Sequence, residues 1–179
     1  HPLATLVPPR RARPRTSLLA LRATSVSHRF HGTTALDGVT LTVDPGELVG
    51  IVGESGSGKT TLLRAFNRMV EPDSGTVTIG GTDVRSLDVA ALRRRIGYVP
   101  QNGGLLPHWT LRRNVALVPT LRGLTDHHAR ADAALDLVGL PSATFGARHP
   151  WELSGGQRQR AALARAIAGE QDVLLLDEP

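Results

Sequence analysis

Hydrophobic and polar residues alternate along Leu21–Phe30 and again along residues 38–47. Alternation with a period of two predicts β-strands that are buried on one face only. The sequence Asp44-Pro45-Gly46 predicts a turn that ends the second strand, and the Gly80-Gly81 pair predicts a hairpin within residues 75–84. We therefore expect the first part of the chain to form an antiparallel β subdomain.

A different pattern, with apolar residues in unbroken runs, occurs in residues 47–53 and in Val173–Leu176. Short runs of this kind are typical of strands that are covered on both faces, as in parallel sheets. Residues 95–101 are predicted to form a further strand, and the apolar residues that follow Lys59 recur at the spacing of a helix. These patterns predict an α/β fold with a mainly parallel sheet beside the antiparallel subdomain.

Helical patterns dominate the region between the strand predicted at residues 95–101 and the strand predicted at Val173–Leu176. Residues 126–140 have helical periodicity, and a final helix is predicted over residues 157–168 with Ser154 as its N-cap. We therefore expect a mainly helical subdomain at about residues 103–155, inserted into a domain that extends over residues 18–179.

Composition adds a separate N-terminal segment to this picture. The 179-residue chain has a formal net charge of +5, but Lys59 is the single lysine among its 21 basic residues. Four arginines fall in the proline-rich residues 8–15, and we interpret residues 1–17 as a disordered basic leader. Contact of this leader with an anionic lipid or a nucleic acid is the alternative. The lack of cysteine and of any apolar run near ~20 residues excludes disulfides, thiolate metal sites and a transmembrane helix from the 179 residues.

The candidate chemistry begins with the sequence GESGSGKT at residues 53–60, which matches G-x-x-x-x-G-K-[ST]. Glycines in such a loop let backbone N–H groups turn towards phosphate oxygens, and the helix that follows directs its positive end at the same anion. The lysine reaches the β- and γ-phosphates, and the threonine hydroxyl binds Mg²⁺. The predicted strand before the motif and helix after it argue against a chance match in a linker. The predicted nucleotide-binding residues are Gly53, Glu54, Ser55, Gly56, Ser57, Gly58, Lys59, Thr60 and Thr61.

Two carboxylates, Asp177 and Glu178, follow the apolar run Val173–Leu176 directly. Nucleotide hydrolysis needs a carboxylate that holds Mg²⁺ and a second group that orients the attacking water. Because neighbouring side chains on an extended backbone point in opposite directions, we assign the metal to Asp177 and the water to Glu178. A solvated acidic turn is the alternative for this pair when it is considered alone.

The segment LSGGQRQRAALARAI, residues 153–167, resembles the signature segment of ATP-binding-cassette (ABC) ATPases. The phosphate loop, Gln101 after GYVP, the LSGGQ segment and LLLDEP occur in the family's order, and the resemblance covers the chain from about residue 21 to its end. It implies a P-loop NTPase core with ATP and Mg²⁺ as cofactors. The implied catalytic residues are Lys59, Gln101 and Glu178, and the implied metal site consists of Thr60, Gln101 and Asp177.

The resemblance also implies roles for residues outside the phosphate loop. Phe30 corresponds to the family's aromatic residue that stacks on adenine, although a buried core position is its alternative. Ser154, Gly155, Gly156 and Gln157 would cover the γ-phosphate that is held by a second copy. The implied active form is therefore a head-to-tail dimer, of identical or paired subunits, with two ATP molecules between them.

Within the family, residues 67–81, 92–101 and 104–124 most resemble importers of osmoprotectants such as glycine betaine, choline or carnitine. This implies a cytoplasmic subunit at the inner face of the cell membrane, with transmembrane permease subunits and, indirectly, a substrate-binding protein as partners. No nucleic-acid partner is expected. The alternatives are an importer of another small solute such as an amino acid, a non-transport ABC ATPase of DNA repair or translation, and a nucleotide-binding remnant without catalysis.

The last implied feature concerns the middle of the sheet. In ATPases of this type, a strand that follows the catalytic glutamate lies between the phosphate-loop strand and the strand that carries the aspartate. We expect a gap there, between residues 47–53 and Val173–Leu176, and a fold that is incomplete at the C-terminus, in a chain that binds ATP but hydrolyses it poorly. The comparison with the family also implies that its switch histidine is missing, because none of the histidines His28, His108, His127, His128 and His149 stands in its place. We predict surface or capping positions for these histidines rather than metal ligation.

Overall fold

The computed structural model describes residues 19–178, which form two β-sheets and a group of helices. The predicted leader, residues 1–17, lies outside the described residues. Over the described range, we find no helix with the length and apolar character that crossing a membrane requires.

The first sheet is antiparallel and has four strands. These are β1 (Leu21–Phe30), β2 (Thr33–Val43), β3 (Ser74–Ile79) and β4 (Thr82–Asp83), in the order β2-β1-β3-β4. The predicted antiparallel subdomain is therefore confirmed. The observed β2 begins earlier than predicted because His31 and Gly32, at φ +46° and +88°, form the turn after β1.

The second sheet pairs β5 (Ile96–Val99) with β6 (Val173–Leu176) in parallel, as the apolar pattern predicted. Two helices, α1 (Lys59–Phe66) and α2 (Val89–Arg95), accompany the sheets. One hydrophobic core joins both sheets to these helices and includes Val26, Phe66, Val77, Leu92, Ile96 and Leu175. This shared core fixes the start of α1 relative to the end of β6.

The strand predicted over residues 47–53 is not formed. Leu48 and Val52 are 93% and 94% exposed, and the segment has no strand partner within residues 19–178. A cavity of about 670 Å³ separates residues 47–51 from β6, so the gap expected from the sequence is seen. The physical reason is that an apolar run becomes a buried strand only when a neighbouring strand satisfies its N–H and C=O groups.

The helical region contains α3 (Leu111–Leu121), α4 (His127–Leu137), α5 (Ser142–Phe145) and α6 (Gly155–Ile167). These helices bury their own cluster, which includes Leu111, Val115, Leu135, Leu140 and Ala161. Along its second half, α6 also packs Ala162 and Ala166 against Val99 of β5. This helix therefore belongs to both cores and connects the helical region to the parallel sheet.

Candidate functional site

Residues 53–58 form an exposed loop that leads directly into α1. Gly56 and Gly58 have φ values of +83° and +89°, which only glycine adopts without strain. A Cβ atom at Gly58 would lie 2.3 Å from the carbonyl oxygen of Ala35, so the loop also needs glycine there for space. No side chain caps the first turn of α1, and its N–H groups are therefore available to an anion.

The ammonium group of Lys59 lies on the inner side of this loop. It donates to the carbonyl oxygens of Gly53 and Glu54, at 2.8 and 2.7 Å, and to the Ser57 hydroxyl at 3.3 Å. An ammonium group has three donors and a compact positive charge. Phosphate oxygens entering the loop could replace these neutral acceptors with stronger, charged ones.

A second cluster forms where the start of α1 meets the end of β6. The Thr60 hydroxyl donates to Asp177 Oδ1 at 2.7 Å, and Asp177 is 2% exposed. The Tyr98 hydroxyl donates to Asp177 Oδ2 at 3.1 Å, and Arg64 Nε donates to the Tyr98 oxygen at 3.4 Å. Two side chains, from α1 and β5, thus hold one buried carboxylate directly, and Arg64 of α1 supports it through Tyr98.

Sequence reasoning missed Tyr98 and Arg64. No local signal identified them, because Tyr98 approaches Asp177 only through the parallel pairing of β5 with β6, which places Tyr98 opposite Leu175. Burial raises the pKa of the Tyr98 hydroxyl, so it stays a proton donor to Asp177 at neutral pH. The hydrogen bond to Tyr98 raises the pKa of the Arg64 guanidinium, which is charged in any case.

The chemistry of Thr60 and Asp177 fits Mg²⁺. Both offer oxygen, the donor type that this hard cation prefers, and Mg²⁺ usually takes one or two carboxylates with the remaining ligands from phosphate and water. In the part of the chain that is described, no group of three or more histidine, cysteine, aspartate or glutamate residues could hold a metal. The protein therefore provides a partial site that suits a metal arriving with a nucleotide.

Gln101 and Glu178 come together at the same edge of the parallel sheet. They follow β5 and β6 respectively, and Gln101 Nε2 donates to Glu178 Oε2. Both side chains are exposed, whereas Asp177 points into the core, as alternation along the strand predicts. The structure thus separates a buried carboxylate beside Thr60 from an exposed carboxylate beside Gln101.

The residues of the signature segment lie at the start of α6. Gln157 N donates to the Ser154 hydroxyl at 3.3 Å, and Ser154 N donates to Gln157 Oε1 at 2.9 Å, which is a capping box. Gly155 and Gly156 are exposed, with no heavy atom within 4 Å of an added Cβ at either one. The turn therefore presents a smooth backbone surface to the outside.

Phe30 ends β1 and is 44% exposed, so the alternative of a buried core position does not hold. The His28 ring meets it edge to face, with ring centroids 4.4 Å apart. The Phe30 ring is thus held beside His28 and stays partly open to solvent, as contact with an aromatic ligand would require.

A family model described as "ABC transporter" matches residues 36–179. The chain is 45% identical over 150 residues to the carnitine transport ATP-binding protein OpuCA of Listeria monocytogenes serotype 1/2a (strain 10403S). This alignment covers 83% of this chain and 38% of that protein. It is 44% identical over 158 residues to the glycine betaine uptake system ATP-binding protein YehX of Escherichia coli (strain K12), with coverage of 86% and 50%. It is also 44% identical over 175 residues to the methionine import ATP-binding protein MetN of Mesorhizobium japonicum (strain LMG 29417 / CECT 9101 / MAFF 303099), with coverage of 95% and 47%.

Among solved structures, the fold is similar to the dimeric post-hydrolysis state of the ATP-binding cassette MJ0796 bound to ADP and Pi. The TM-score is 0.79 at 32% identity, and the match covers 87% of this chain and 72% of that one. The chain spans 38% to 50% of the length of the three curated relatives.

Proposed function

This chain belongs to the ABC transporter family, and from that premise we propose that it forms the ATP-binding and ATP-hydrolysing part of a membrane importer subunit. The observation that carries the proposal is the convergence of Lys59, Thr60 and Asp177 where α1 meets the end of β6. The Lys59 cation suits the phosphates of a triphosphate, and the Thr60 hydroxyl and the buried Asp177 carboxylate suit its magnesium ion.

In this proposal the backbone N–H groups of residues 53–60 surround the β- and γ-phosphates, and Lys59 neutralises part of their charge. Thr61, in the first turn of α1, adds to the same surface. Thr60, Asp177 and Gln101 would hold Mg²⁺, and the bound ion would supply positive charge beside the transferred phosphoryl group. The hydrogen bonds from Tyr98 and Thr60 keep the Asp177 carboxylate oriented for this task.

Glu178 is proposed to polarise the water that attacks the γ-phosphorus. Its carboxylate is exposed and accepts a hydrogen bond from the Gln101 amide at Oε2, so Gln101 orients the carboxylate and the other oxygen is left to bind the water. The new bond joins the water oxygen to phosphorus, the bond to the bridging β–γ oxygen breaks, and Glu178 receives the water's proton. Hydrolysis therefore depends on the loop that carries Gln101 as well as on the phosphate site.

The active form is proposed to be a head-to-tail dimer or a pair with a related subunit. Ser154, Gly155, Gly156 and Gln157 lie at the exposed start of α6, where backbone N–H groups and the helix dipole suit a phosphate of the opposite copy. The similar MJ0796 cassette is described as dimeric with bound ADP and Pi, which supports this arrangement. Phe30 would then stack on adenine.

The proposed transported solutes are quaternary-amine osmoprotectants, because relatives named for carnitine and glycine betaine match at 45% and 44% identity. An amino-acid importer is the second candidate, since a methionine importer subunit matches at 44% over a longer alignment. In either case the subunit would act at the inner face of the cell membrane with permease subunits and a substrate-binding protein. Uptake of labelled glycine betaine and of labelled methionine by the intact transporter distinguishes the two.

Lys59 allows a direct test of nucleotide binding, because it is the single lysine of the 179 residues. We expect Mg-ATP to protect Lys59 from an amine-acylating reagent, as measured by peptide mass spectrometry. Lys59→Ala should weaken ATP binding on the order of 10–100-fold, because a hydrogen bond to a charged group contributes about 1.5–3 kcal/mol.

The control for this test is Arg22→Ala, an exposed cation on β1 away from the loop, which should bind ATP like the unaltered protein. Equal labelling of Lys59 with and without Mg-ATP, in a protein that folds, would rule out the proposed site. We further expect the 179-residue chain alone to turn over ATP far more slowly than the full-length protein, because its phosphate-loop segment lacks a strand partner among the described residues.

A further inference from the structure

Helix α6 forms hydrogen bonds to the segment that carries Gln101 through one side chain near its C-terminal end, 11 positions after Ser154. The Arg165 guanidinium donates to the carbonyl oxygens of Gly103 and Gly104, at 3.0 and 2.6 Å. Both glycines have left-handed backbone conformations, with φ values of +70° and +62°, which turn two successive carbonyl groups towards the helix. Residues 101–106, which we call the glutamine loop, are thus attached to α6 at their bend.

Packing reinforces this attachment. Gly103 N donates to the Pro100 carbonyl at 2.7 Å, which closes the bend, and a Cβ at Gly103 would lie 3.5 Å from Ala162 of α6. A Cβ at Gly104 would lie 2.9 Å from Pro100 Cγ and 3.2 Å from Arg165 Nη2. The bend therefore has room only for glycine at the position that faces the guanidinium.

The charge of Arg165 makes these hydrogen bonds costly to lose. Burial lowers the pKa of its guanidinium from the ordinary value, although the group stays charged at neutral pH. Arg165 forms no ion pair with a carboxylate of the described residues, so the two glycine carbonyls are the acceptors that compensate for its burial. A partly buried cation of this kind holds its two acceptors in place.

We propose that Arg165 is a positioning residue for ATP hydrolysis, which holds the glutamine loop so that Gln101 remains against Glu178. This inference rests on the proposed function. Arg165 does not touch the phosphate loop in the hydrogen bonds described, and it acts through Gly103, Gly104 and the backbone that leads to Gln101. Because Ser154 caps the same helix 11 positions earlier, about 16 Å away along the axis, α6 links the start of the signature segment to Gln101 as one rigid element.

The chain provides a matched control for this proposal. Arg160, on the same helix, donates from Nη1 to two successive carbonyls, those of Val138 at 3.2 Å and Gly139 at 2.9 Å, beyond the end of α4. Arg165→Met and Arg160→Met thus remove the same type of contact from the same helix, and only the first contact leads to Gln101. The experiment compares ATPase kcat, KM for ATP and thermal stability of both variants in the full-length protein.

We expect Arg165→Met to lower kcat by about 10–100-fold, the range that a misplacement of about 1 Å in a catalytic group produces. Its KM for ATP should change less than about twofold, because Lys59 and the phosphate loop are intact. Arg160→Met should keep kcat within about twofold, and because Arg160 is exposed its loss of stability should be no larger than that of Arg165→Met. Arg165→Lys should recover part of the lost rate, since an ammonium group can reach one of the two carbonyls.

A second variant approaches the same contact from the loop. Gly104→Ala should lower kcat like Arg165→Met, and the double variant should be no slower than the slower single variant, because both break one connection. Equal kcat values for Arg165→Met and Arg160→Met, or additive effects of Arg165→Met and Gly104→Ala, would overturn the inference. If Arg165→Met does not fold, Gly104→Ala with unchanged kcat would overturn it instead. An unaltered protein that binds no ATP would instead contradict the proposed function.

Discussion

At the scale of single residues, the sequence predicted the members of the site but not the contacts that orient them. Lys59, Thr60 and Asp177 follow from motifs, and the structure brings them together. Tyr98 and Arg165 could not be predicted in the same way, because Tyr98 meets Asp177 across 79 positions and Arg165 meets Gly103 across 62. Such contacts depend on which strands and helices become neighbours, and a local pattern does not contain that information.

Tyr98 gives a prediction about pH at this scale. It is the only tyrosine of the 179 residues, and burial raises its pKa above the ordinary value of 10.0. The neutral phenol is favoured in the folded state, so its contribution to stability is complete below pH ~10 and is lost as the pH rises through the raised pKa. We expect the absorbance of tyrosinate to appear at higher pH in the folded protein than in urea.

The matching control is Tyr98→Phe, which subtracts the signal of any other tyrosine in the full-length protein. This variant should also lower the free energy of unfolding at neutral pH by about 1 kcal/mol, because the Asp177 carboxylate loses a donor. A folded-state titration of Tyr98 at or below its midpoint in urea would contradict the proposed burial of this hydroxyl.

At the scale of elements, two apolar runs with the same pattern adopt different structures, since one forms a strand and the other does not. Val173–Leu176 forms β6 because β5 lies beside it and exchanges backbone hydrogen bonds with it. Residues 47–53 remain without a partner in the described region, and their Leu48 and Val52 are exposed. Pattern alone predicts which residues can be buried, and strand formation requires a neighbour as well. Helix ends were predicted more closely, because a cap such as Ser154 is a local feature.

The Ser154 cap yields the prediction that belongs to this scale. Ser154→Ala should destabilise the protein by about 1 kcal/mol and also reduce ATP turnover, because the start of α6 frays where a phosphate should bind. Asp88→Ala is the matched control, since Asp88 caps α2 by accepting from Ala91 N at 2.8 Å. Its loss of stability should be similar, measured by urea unfolding, with turnover retained. If both variants lost ATP turnover to the same extent, the loss in Ser154→Ala would result from lower stability alone.

At the scale of the whole molecule, the two halves of the proposed site lie on different parts of the fold. The phosphate loop lies at the start of α1, and the signature residues lie on the helical region at the start of α6. Each presents uncapped or smooth backbone to the outside, which suits contact with a second copy more than with its own chain. The fold class followed from the sequence, whereas the site residues and the assembly remain predictions to be tested on the molecule.

Gly156 provides that test, because a side chain added there can disturb assembly without disturbing the fold. An added Cβ there meets no heavy atom within 4 Å, and Gly156 is the second residue of α6, where a carboxylate favours the helix dipole. Gly156→Glu should therefore leave thermal stability unchanged or higher and leave ATP binding to the variant's own phosphate loop intact. Its side chain would nevertheless place a negative charge where the partner's γ-phosphate is proposed to lie.

We expect Gly156→Glu to abolish ATP-dependent dimerisation in sedimentation experiments and to reduce turnover in proportion. Gly156→Gln, which has nearly the same shape without the charge, separates crowding from repulsion, and Ala90→Glu adds the same charge to the second residue of α2. The Ala90 variant should dimerise normally. A Gly156→Glu protein that still dimerises with ATP would show that the start of α6 does not face the nucleotide of a second copy. This result would contradict the head-to-tail arrangement and would leave the proposed phosphate site unaffected.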